Sequence, residues 1–140
     1  MTTAIDSNIF IAFWDASNAL NSLAQSALTA AWSRGSLVVA APVYAELLAF
    51  PGRSEAFLDT FLGETSITVE WEIDEATWRT AGHAFQTYAG RRKRNQGSSP
   101  RRILADFLIG AHALRNGYRL LTLDSGLYTA AFPRLTVLAI

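Results

Sequence analysis

The sequence contains no cysteine. It therefore cannot be a disulfide scaffold, and it has neither a thiolate zinc site nor a cysteine nucleophile. No apolar run reaches the roughly 18 residues that a membrane-spanning helix needs. A P-loop, a G-x-G-x-x-G turn and a G-x-S-x-G elbow are also missing, which argues against nucleotide-cofactor binding and serine hydrolase chemistry. The remaining expectation is a cytoplasmic protein with no membrane segment.

The chain has 140 residues, and half of them are hydrophobic. This length suits one domain with a proper core, so we expect residues 1–140 to form a single domain. The net charge is zero, but the charges are segregated along the chain. Six of the twelve basic residues lie between positions 91 and 102, and seven of the twelve acids lie between positions 55 and 75. The neutral total therefore hides a basic segment that could contact a phosphate backbone.

Short strand-like runs alternate with helical stretches, which indicates an α/β fold with helices on both faces of a parallel sheet. In 67–73 apolar and polar residues alternate, which indicates a strand at a sheet edge. The predicted strands are 3–6, 37–41, 67–73, 118–123 and 135–140. The first predicted helix follows the capping residues at 6–8 and ends at about 13. The other predicted helices are 15–33, 43–49, 54–62, 74–88 and 100–115, and a basic loop is predicted at 90–100.

Four acids occupy places where a solvated carboxylate is not expected. Asp6 ends the first predicted strand and Asp124 ends the fourth, while Glu46 lies one helical turn past the second. Asp106 lies among apolar residues in the helix that leads into the fourth strand. If the first and fourth strands are neighbours, all four carboxylates can meet at one end of the sheet, where such folds bind ligands. Four clustered carboxylates require a cation, and all-oxygen ligation suits magnesium or manganese.

Each acid also has a purely structural interpretation. Asp6 could cap a helix, and Asp124 could open a tight turn. Glu46 could be a partly exposed helical glutamate, and Asp106 could pair with Arg102 one turn earlier. A fifth acid, Asp15, is explained sufficiently as the start of the second helix. The combination of four positions favours a divalent-metal site of the kind that hydrolyses phosphodiester bonds.

The stretches around these acids resemble a PIN domain, and specifically the VapC-type toxins of toxin–antitoxin pairs. The resembling segments are AIDSNIFIAF, APVYAELLAF, RRILADFLIGAHAL and LLTLDSGLYTAAFPRLTVL, which follow one another in order over nearly the whole chain. The resemblance implies a three-layer α/β/α fold with a five-stranded parallel sheet in the order 3-2-1-4-5. That order places Asp6 and Asp124 on adjacent strands and the 67–73 strand at an edge.

The resemblance also implies a metal-dependent endoribonuclease that binds one or two Mg²⁺ or Mn²⁺ ions. The implied catalytic ligands are Asp6, Glu46, Asp106 and Asp124, and Asn8 and Thr122 match positions that support the site. It further implies a homodimer and a small cognate antitoxin that covers the cleft. The family's final motif often has an aromatic residue where this chain has Leu127, with Tyr128 next. A Ser or Thr often found three residues before the glutamate is Val43 here.

The basic segment before the Asp106 helix has two interpretations. It is either a solvated loop or a contact for the RNA backbone, and its position beside a proposed metal site favours RNA. The arginines we expect to bind RNA are Arg91, Arg92, Arg101 and Arg102. Two further functions remain open at this point, a housekeeping RNA-processing PIN nuclease and a non-catalytic PIN-like binding module.

Overall fold

The computed structural model describes residues 1–95 and 102–140. The strands in these ranges are β1 (Thr3–Ile5), β2 (Leu37–Ala40), β3 (Ile67–Glu70), β4 (Arg119–Thr122) and β5 (Val137–Ala139). The helices in the same ranges are α1 (Ser7–Trp14), α2 (Asn21–Arg34), α3 (Ala41–Ala49), α4 (Glu55–Glu64), α5 (Glu75–Arg94), α6 (Leu104–Asn116) and α7 (Ser125–Ala131). None of these helices combines the length and the apolar character that crossing a membrane requires.

The five strands form one parallel sheet in the order β3-β2-β1-β4-β5. This confirms the predicted α/β class and the strand order implied by the resemblance. It also confirms that the strand beginning at Ile67 lies at an edge. Ile5 of β1 is opposite Leu121 of β4, and the Asp6 amide donates to the Leu121 carbonyl at 2.9 Å. The carboxyl ends of β1 and β4 therefore lie side by side.

The core lies on both faces of the sheet. Every residue of β1 and β2 is buried, as expected for central parallel strands covered by helices on both sides. Phe10 of α1 and Phe107 of α6 are fully buried in this core. Gly110 of α6 packs so closely on the Phe132 ring that an added Cβ would overlap with it. Close contact of this kind fixes how α6 lies on the sheet, and α6 is the helix that carries Asp106.

Several predicted element boundaries are wrong. The α5 helix continues to Arg94 instead of ending at Tyr88, so the first part of the predicted 90–100 loop is helical. The second helix begins at Asn21 and not at Asp15, because Asp15 closes a turn by accepting hydrogen bonds from the Ser17 amide and hydroxyl at 3.0 and 2.6 Å. The short helix α7 occupies the place where a turn after Asp124 was considered.

Candidate functional site

Asp6 lies between the end of β1 and the start of α1, and its two carboxylate oxygens bind different partners. Its Oδ1 accepts a hydrogen bond from the Ser7 amide at 2.8 Å, which caps the helix, and its Oδ2 accepts one from the Thr122 hydroxyl at 2.7 Å. The side chain is buried, and this burial raises the pKa of Asp6 above its ordinary value. Helix capping is therefore real but does not account for the second carboxylate oxygen.

Thr122 connects Asp6 to the neighbouring strand end. Its fully buried hydroxyl donates to Asp6 and also accepts the Asp124 amide at 2.9 Å. The Asn8 amide nitrogen lies 3.4 Å from the same hydroxyl, and the Asn8 carbonyl oxygen accepts from the Leu123 amide at 3.1 Å. Asn8 and Thr122 thus hold α1 and the end of β4 together beside the Asp6 and Asp124 carboxylates.

Glu46 reaches the same place from α3. Its Oε1 accepts a hydrogen bond from the Ser7 hydroxyl at 2.9 Å. Partial burial raises the pKa of Glu46, and the negative charges of Asp6 and Asp106 raise it further. Glu46 is a partly exposed helical glutamate, as the structural interpretation had it, but other carboxylates also lie within its electrostatic reach.

Asp106 lies in the first turn of α6, which begins at Leu104 and not at position 100. A carboxylate there is favoured by the helix dipole, and Asp106 accepts a long hydrogen bond, 3.4 Å, from the Ile103 amide. Burial raises the pKa of Asp106, and the negative charge of Asp124 raises it further. The ion pair considered with Arg102 is absent from the described contacts, because Arg102 binds Asp124 instead, with Nη1 2.7 Å from Oδ2.

The four acids predicted from the sequence share one electrostatic environment. The charge of Asp106 raises the pKa of Asp6, and the charge of Asp124 raises that of Asp106. Among the described residues, however, no group of three or more carboxylate or imidazole side chains is arranged closely enough to hold a metal ion. Ser7 holds one oxygen of Glu46, and Arg102 holds one oxygen of Asp124.

The donor set nevertheless fits a divalent cation in chemistry and charge. All four acids offer hard oxygen ligands, the kind that magnesium and manganese prefer. Burial raises the pKa of the carboxyl groups of Asp6, Glu46 and Asp106, because it disfavours their charged form. Among the described ion pairs, Arg102 pairs directly with Asp124, and its positive charge also lowers the pKa of Asp106, but not enough to offset the effect of burial. A bound cation would offset the repulsion that remains.

Two residues of this site were not predicted from the sequence, Ser7 and Tyr128. The Ser7 hydroxyl donates to Glu46, whereas Val43, at the position where the resemblance often has a Ser or Thr, is buried in the core. Tyr128 is fully buried, and its hydroxyl faces Asp6 without forming a well-aligned hydrogen bond. Burial and the charge of Asp6 raise the pKa of the Tyr128 phenol. The signal for Tyr128 was an aromatic residue displaced by one position from the expected place.

The basic residues are only partly placed. Arg91 and Arg92 lie in the last turn of α5 and not in a loop as predicted. The helix dipole favours positive charge at this end of a helix. Arg102 precedes α6 and binds Asp124. Arg101 lies outside the described residues.

Comparison with known protein families decides the relationship that the motifs indicated. The PIN domain model matches residues 3–133. The chain belongs to the PIN domain family. PIN domain nucleases are hydrolases that act on RNA. A search of curated proteins finds no significant relative of this PIN domain chain.

Solved structures share the fold of this PIN domain at low sequence identity. A chain in the crystal structure of VapBC2 from Rickettsia felis, bound to a DNA fragment from its promoter, aligns with a TM-score of 0.70 and 16% identity over 99% of this chain and 98% of that one. A chain of VapBC-1 from nontypeable Haemophilus influenzae aligns with a TM-score of 0.66 and 20% identity over 99% and 98%. FitAcB from Neisseria gonorrhoeae gives a TM-score of 0.64 and 19% identity over 96% and 95%.

Proposed function

We propose that this chain is a metal-dependent endoribonuclease that hydrolyses RNA phosphodiester bonds and acts as the toxin of a toxin–antitoxin pair. The observation that carries the proposal is the arrangement of the carboxylates beside the carboxyl ends of β1 and β4, where Thr122 bonds to both Asp6 and Asp124, Ser7 bonds to Glu46, and the charge of Asp106 acts on Asp6 and Glu46. Parallel α/β sheets bind ligands at that end. In this proposal residues 1–140 act as one nuclease domain.

The same four acids are the proposed ligands for one or two Mg²⁺ or Mn²⁺ ions. When bound, such an ion stabilises charge on the phosphate and leaving oxygen and makes water a stronger nucleophile. No side chain has to attack the phosphorus, which agrees with the absence of cysteine and of a serine elbow.

The remaining residues orient the ligands and attract the substrate. The Thr122 and Ser7 hydroxyls each donate to a carboxylate, Asp6 and Glu46 respectively, and so restrict how these side chains turn. Arg102 lies beside Asp124, where its positive charge would meet an approaching phosphate. Arg91 and Arg92, with Arg101, are the further proposed contacts to the RNA backbone, which would be largely independent of sequence.

The toxin role and the partners rest on the solved structures that share the fold. Those structures are named for VapBC and FitAcB, which supports a small cognate antitoxin as the partner of this chain. A homodimer and a cytoplasmic location complete the proposal, both as expected from the sequence and the family resemblance. An adjacent reading frame for a small DNA-binding protein would support the toxin role over housekeeping RNA processing.

Cleavage of structured RNA tests the nuclease. We expect cleavage in magnesium or manganese that EDTA abolishes and that Asp106→Asn reduces by at least a hundredfold. Asp15→Asn is the matched control, because Asp15 is exposed at the other end of α1 from Asp6. Undiminished cleavage by Asp106→Asn, or cleavage that persists in EDTA, would contradict the proposal. The absence of any divalent-metal binding near millimolar concentration by calorimetry would favour a non-catalytic module.

Growth of a bacterial host separates a toxin from a housekeeping nuclease. Expression of the wild type should arrest growth, and substitution of any of the four acids by its amide should restore it. Co-expression of the adjacent small gene should also restore growth. Normal growth with a demonstrably active wild-type enzyme would favour RNA processing instead.

A further inference from the structure

A mostly apolar cavity of about 410 Å³ adjoins the carboxylate site. Its walls come from the second half of α5, from the start of α6 and from α7. The residues that matter here are Tyr88, Arg91, Arg102, Phe107, Leu127 and Ala130. The volume lies within the range of about 300–1,000 Å³ that is typical of small-molecule sites. The carboxylate cluster does not need this space, so the cavity requires its own explanation.

The cavity and the carboxylates share a border. Arg102 lines the cavity, and its Nη1 lies 2.7 Å from Oδ2 of Asp124. The Arg102 amide donates to the Tyr88 hydroxyl at 2.8 Å, which fixes the chain at this border. Phe107 directly follows Asp106, and Leu127 lies three residues after Asp124. The cavity is therefore within reach of the neighbouring unit of a polymer bound at the carboxylates.

The lining combines aromatic rings with guanidinium groups. The Phe107 ring lies 5.6 Å from the Tyr88 ring and stacks on Phe85 behind it at 4.7 Å, with 8° between the planes. Arg91 and Arg102 contribute positive charge to the same lining. Unpaired RNA bases bind on aromatic rings and guanidinium planes, while their phosphates are attracted to arginine.

We propose that this cavity is a nucleobase subsite, in which one unpaired base of the RNA next to the scissile phosphate binds. The inference rests on the proposed ribonuclease function. The base lies against the half-buried Tyr88 and Leu127, since Phe107 behind them is fully buried, and the phosphate beside it contacts Arg102. The lining favours a polyanion over the apolar side chain of a protein partner, because an apolar side chain would bring no counter-charge for Arg91, whereas Arg102 is already paired with Asp124.

The test uses one single-stranded oligoribonucleotide that the wild type cuts once, and a series in which an abasic nucleotide is moved across the cut. We expect one position beside the cut at which base removal lowers kcat/KM about tenfold, in keeping with the strength of base stacking. Ala130→Trp fills the cavity from an exposed position and should lower kcat/KM on the intact RNA by a similar factor. The same variant should no longer respond to the abasic position.

Thr129→Trp is the matched control, because it adds the same ring to α7 at an exposed residue that does not line the cavity. It should behave as the wild type. Leu127→Ala removes part of the apolar wall without adding bulk and should reduce the abasic penalty, which keeps the test valid if Ala130→Trp does not fold.

Three results would overturn the subsite. One is wild-type cleavage with no abasic penalty at any position, and another is an unchanged penalty in Ala130→Trp. The third is wild-type cleavage by Ala130→Trp together with a loss of inhibition by the antitoxin, which would assign the cavity to the protein partner. Failure of the wild type to cleave any RNA is a different outcome, because it overturns the nuclease proposal and the subsite with it.

Discussion

Thr122 shows how one small side chain organises the candidate site. Its hydroxyl donates to Asp6 on the neighbouring strand end and accepts the amide of Asp124. The hydroxyl is fully buried, so these partners replace the hydrogen bonds that water would make. Two of the proposed metal ligands are thereby positioned by a residue that need not touch the metal or the RNA.

Replacing Thr122 by valine removes the hydroxyl and keeps the shape. We expect metal affinity or kcat/KM to fall about 10- to 100-fold, as for other residues that orient metal ligands. The folded state should also lose about 1–3 kcal/mol, since the buried Asp6 carboxylate would lose its donor and the Asp124 amide would lose its acceptor. Thr68→Val, at an exposed residue of β3, is the control and should change neither quantity. Calorimetric metal titration and urea unfolding measure the two effects, and wild-type metal affinity in Thr122→Val would rule out the positioning role.

At the scale of elements, strand periodicity predicted the strands and the family resemblance implied their order, but neither predicted where the elements end. The 67–73 strand was predicted three residues too long, because Ala40, the last residue of β2, pairs with Glu70 and leaves no partner beyond it. The α5 helix was predicted too short, because Gly90 was taken as a stop. The helix tolerates this glycine at a cost of about 1 kcal/mol, and the arginines and lysine that follow are good helix formers.

The candidate site was predictable to a similar degree. The four acids could be found because strand ends and apolar helices are unusual places for carboxylates. The Ser7–Glu46 and Arg102–Asp124 contacts could not, because they join residues 39 and 22 positions apart whose distance depends on the packing of whole helices. Tyr128 was missed for a different reason, since it lies one position after the place where the family's final motif often has an aromatic residue.

The last turn of α5 contains Arg91 and Arg92, which are proposed contacts to the RNA backbone. If Arg91 and Arg92 contact RNA phosphates, each substitution by alanine should weaken binding by a similar factor for every RNA sequence. Each should also reduce the slope of log affinity against log salt concentration by about 1. Arg134→Ala, an exposed arginine after α7, is the control. Fluorescence anisotropy at several salt concentrations gives the slope, and an unchanged slope would show that these arginines serve only the helix dipole.

A separate polar contact ties the edge strand to α6. Glu70 at the end of β3 accepts the Tyr118 hydroxyl at 2.8 Å and lies 2.8 Å from Nε2 of the buried His112. Glu70→Ala leaves both groups without their partner, so we expect a loss of about 1–3 kcal/mol in the free energy of unfolding. Glu72→Ala, an exposed residue two positions on, should be close to neutral. Urea unfolding measures the difference, and wild-type stability in Glu70→Ala would show that the contact adds nothing.

At the scale of the whole molecule, the carboxylate cluster lowers the free energy of unfolding at neutral pH. Burial raises the pKa of Asp6, Glu46 and Asp106, so the folded protein holds protons that the unfolded chain would release. Their contribution is fully present below about pH 4, where both states are protonated, and is lost as the pH rises through the raised pKa values. Asp74 works in the opposite direction, because the Thr77 amide lowers its pKa and its contribution is lost as the pH falls.

A comparison of melting temperatures isolates the cluster from acids such as Asp74. Without divalent metal at neutral pH, Asp106→Asn should melt at a higher temperature than the wild type, because it removes one of the mutually repelling charges. The difference should shrink toward zero below about pH 4, where the wild-type carboxyl is protonated as well. Adding Mg²⁺ or Mn²⁺ at neutral pH should raise the melting temperature of the wild type more than that of the variant. The exposed Asp59→Asn should show neither effect. If Asp106→Asn were less stable than the wild type at neutral pH, the Asp106 carboxylate would stabilise the fold, and the predicted repulsion within the cluster would be wrong.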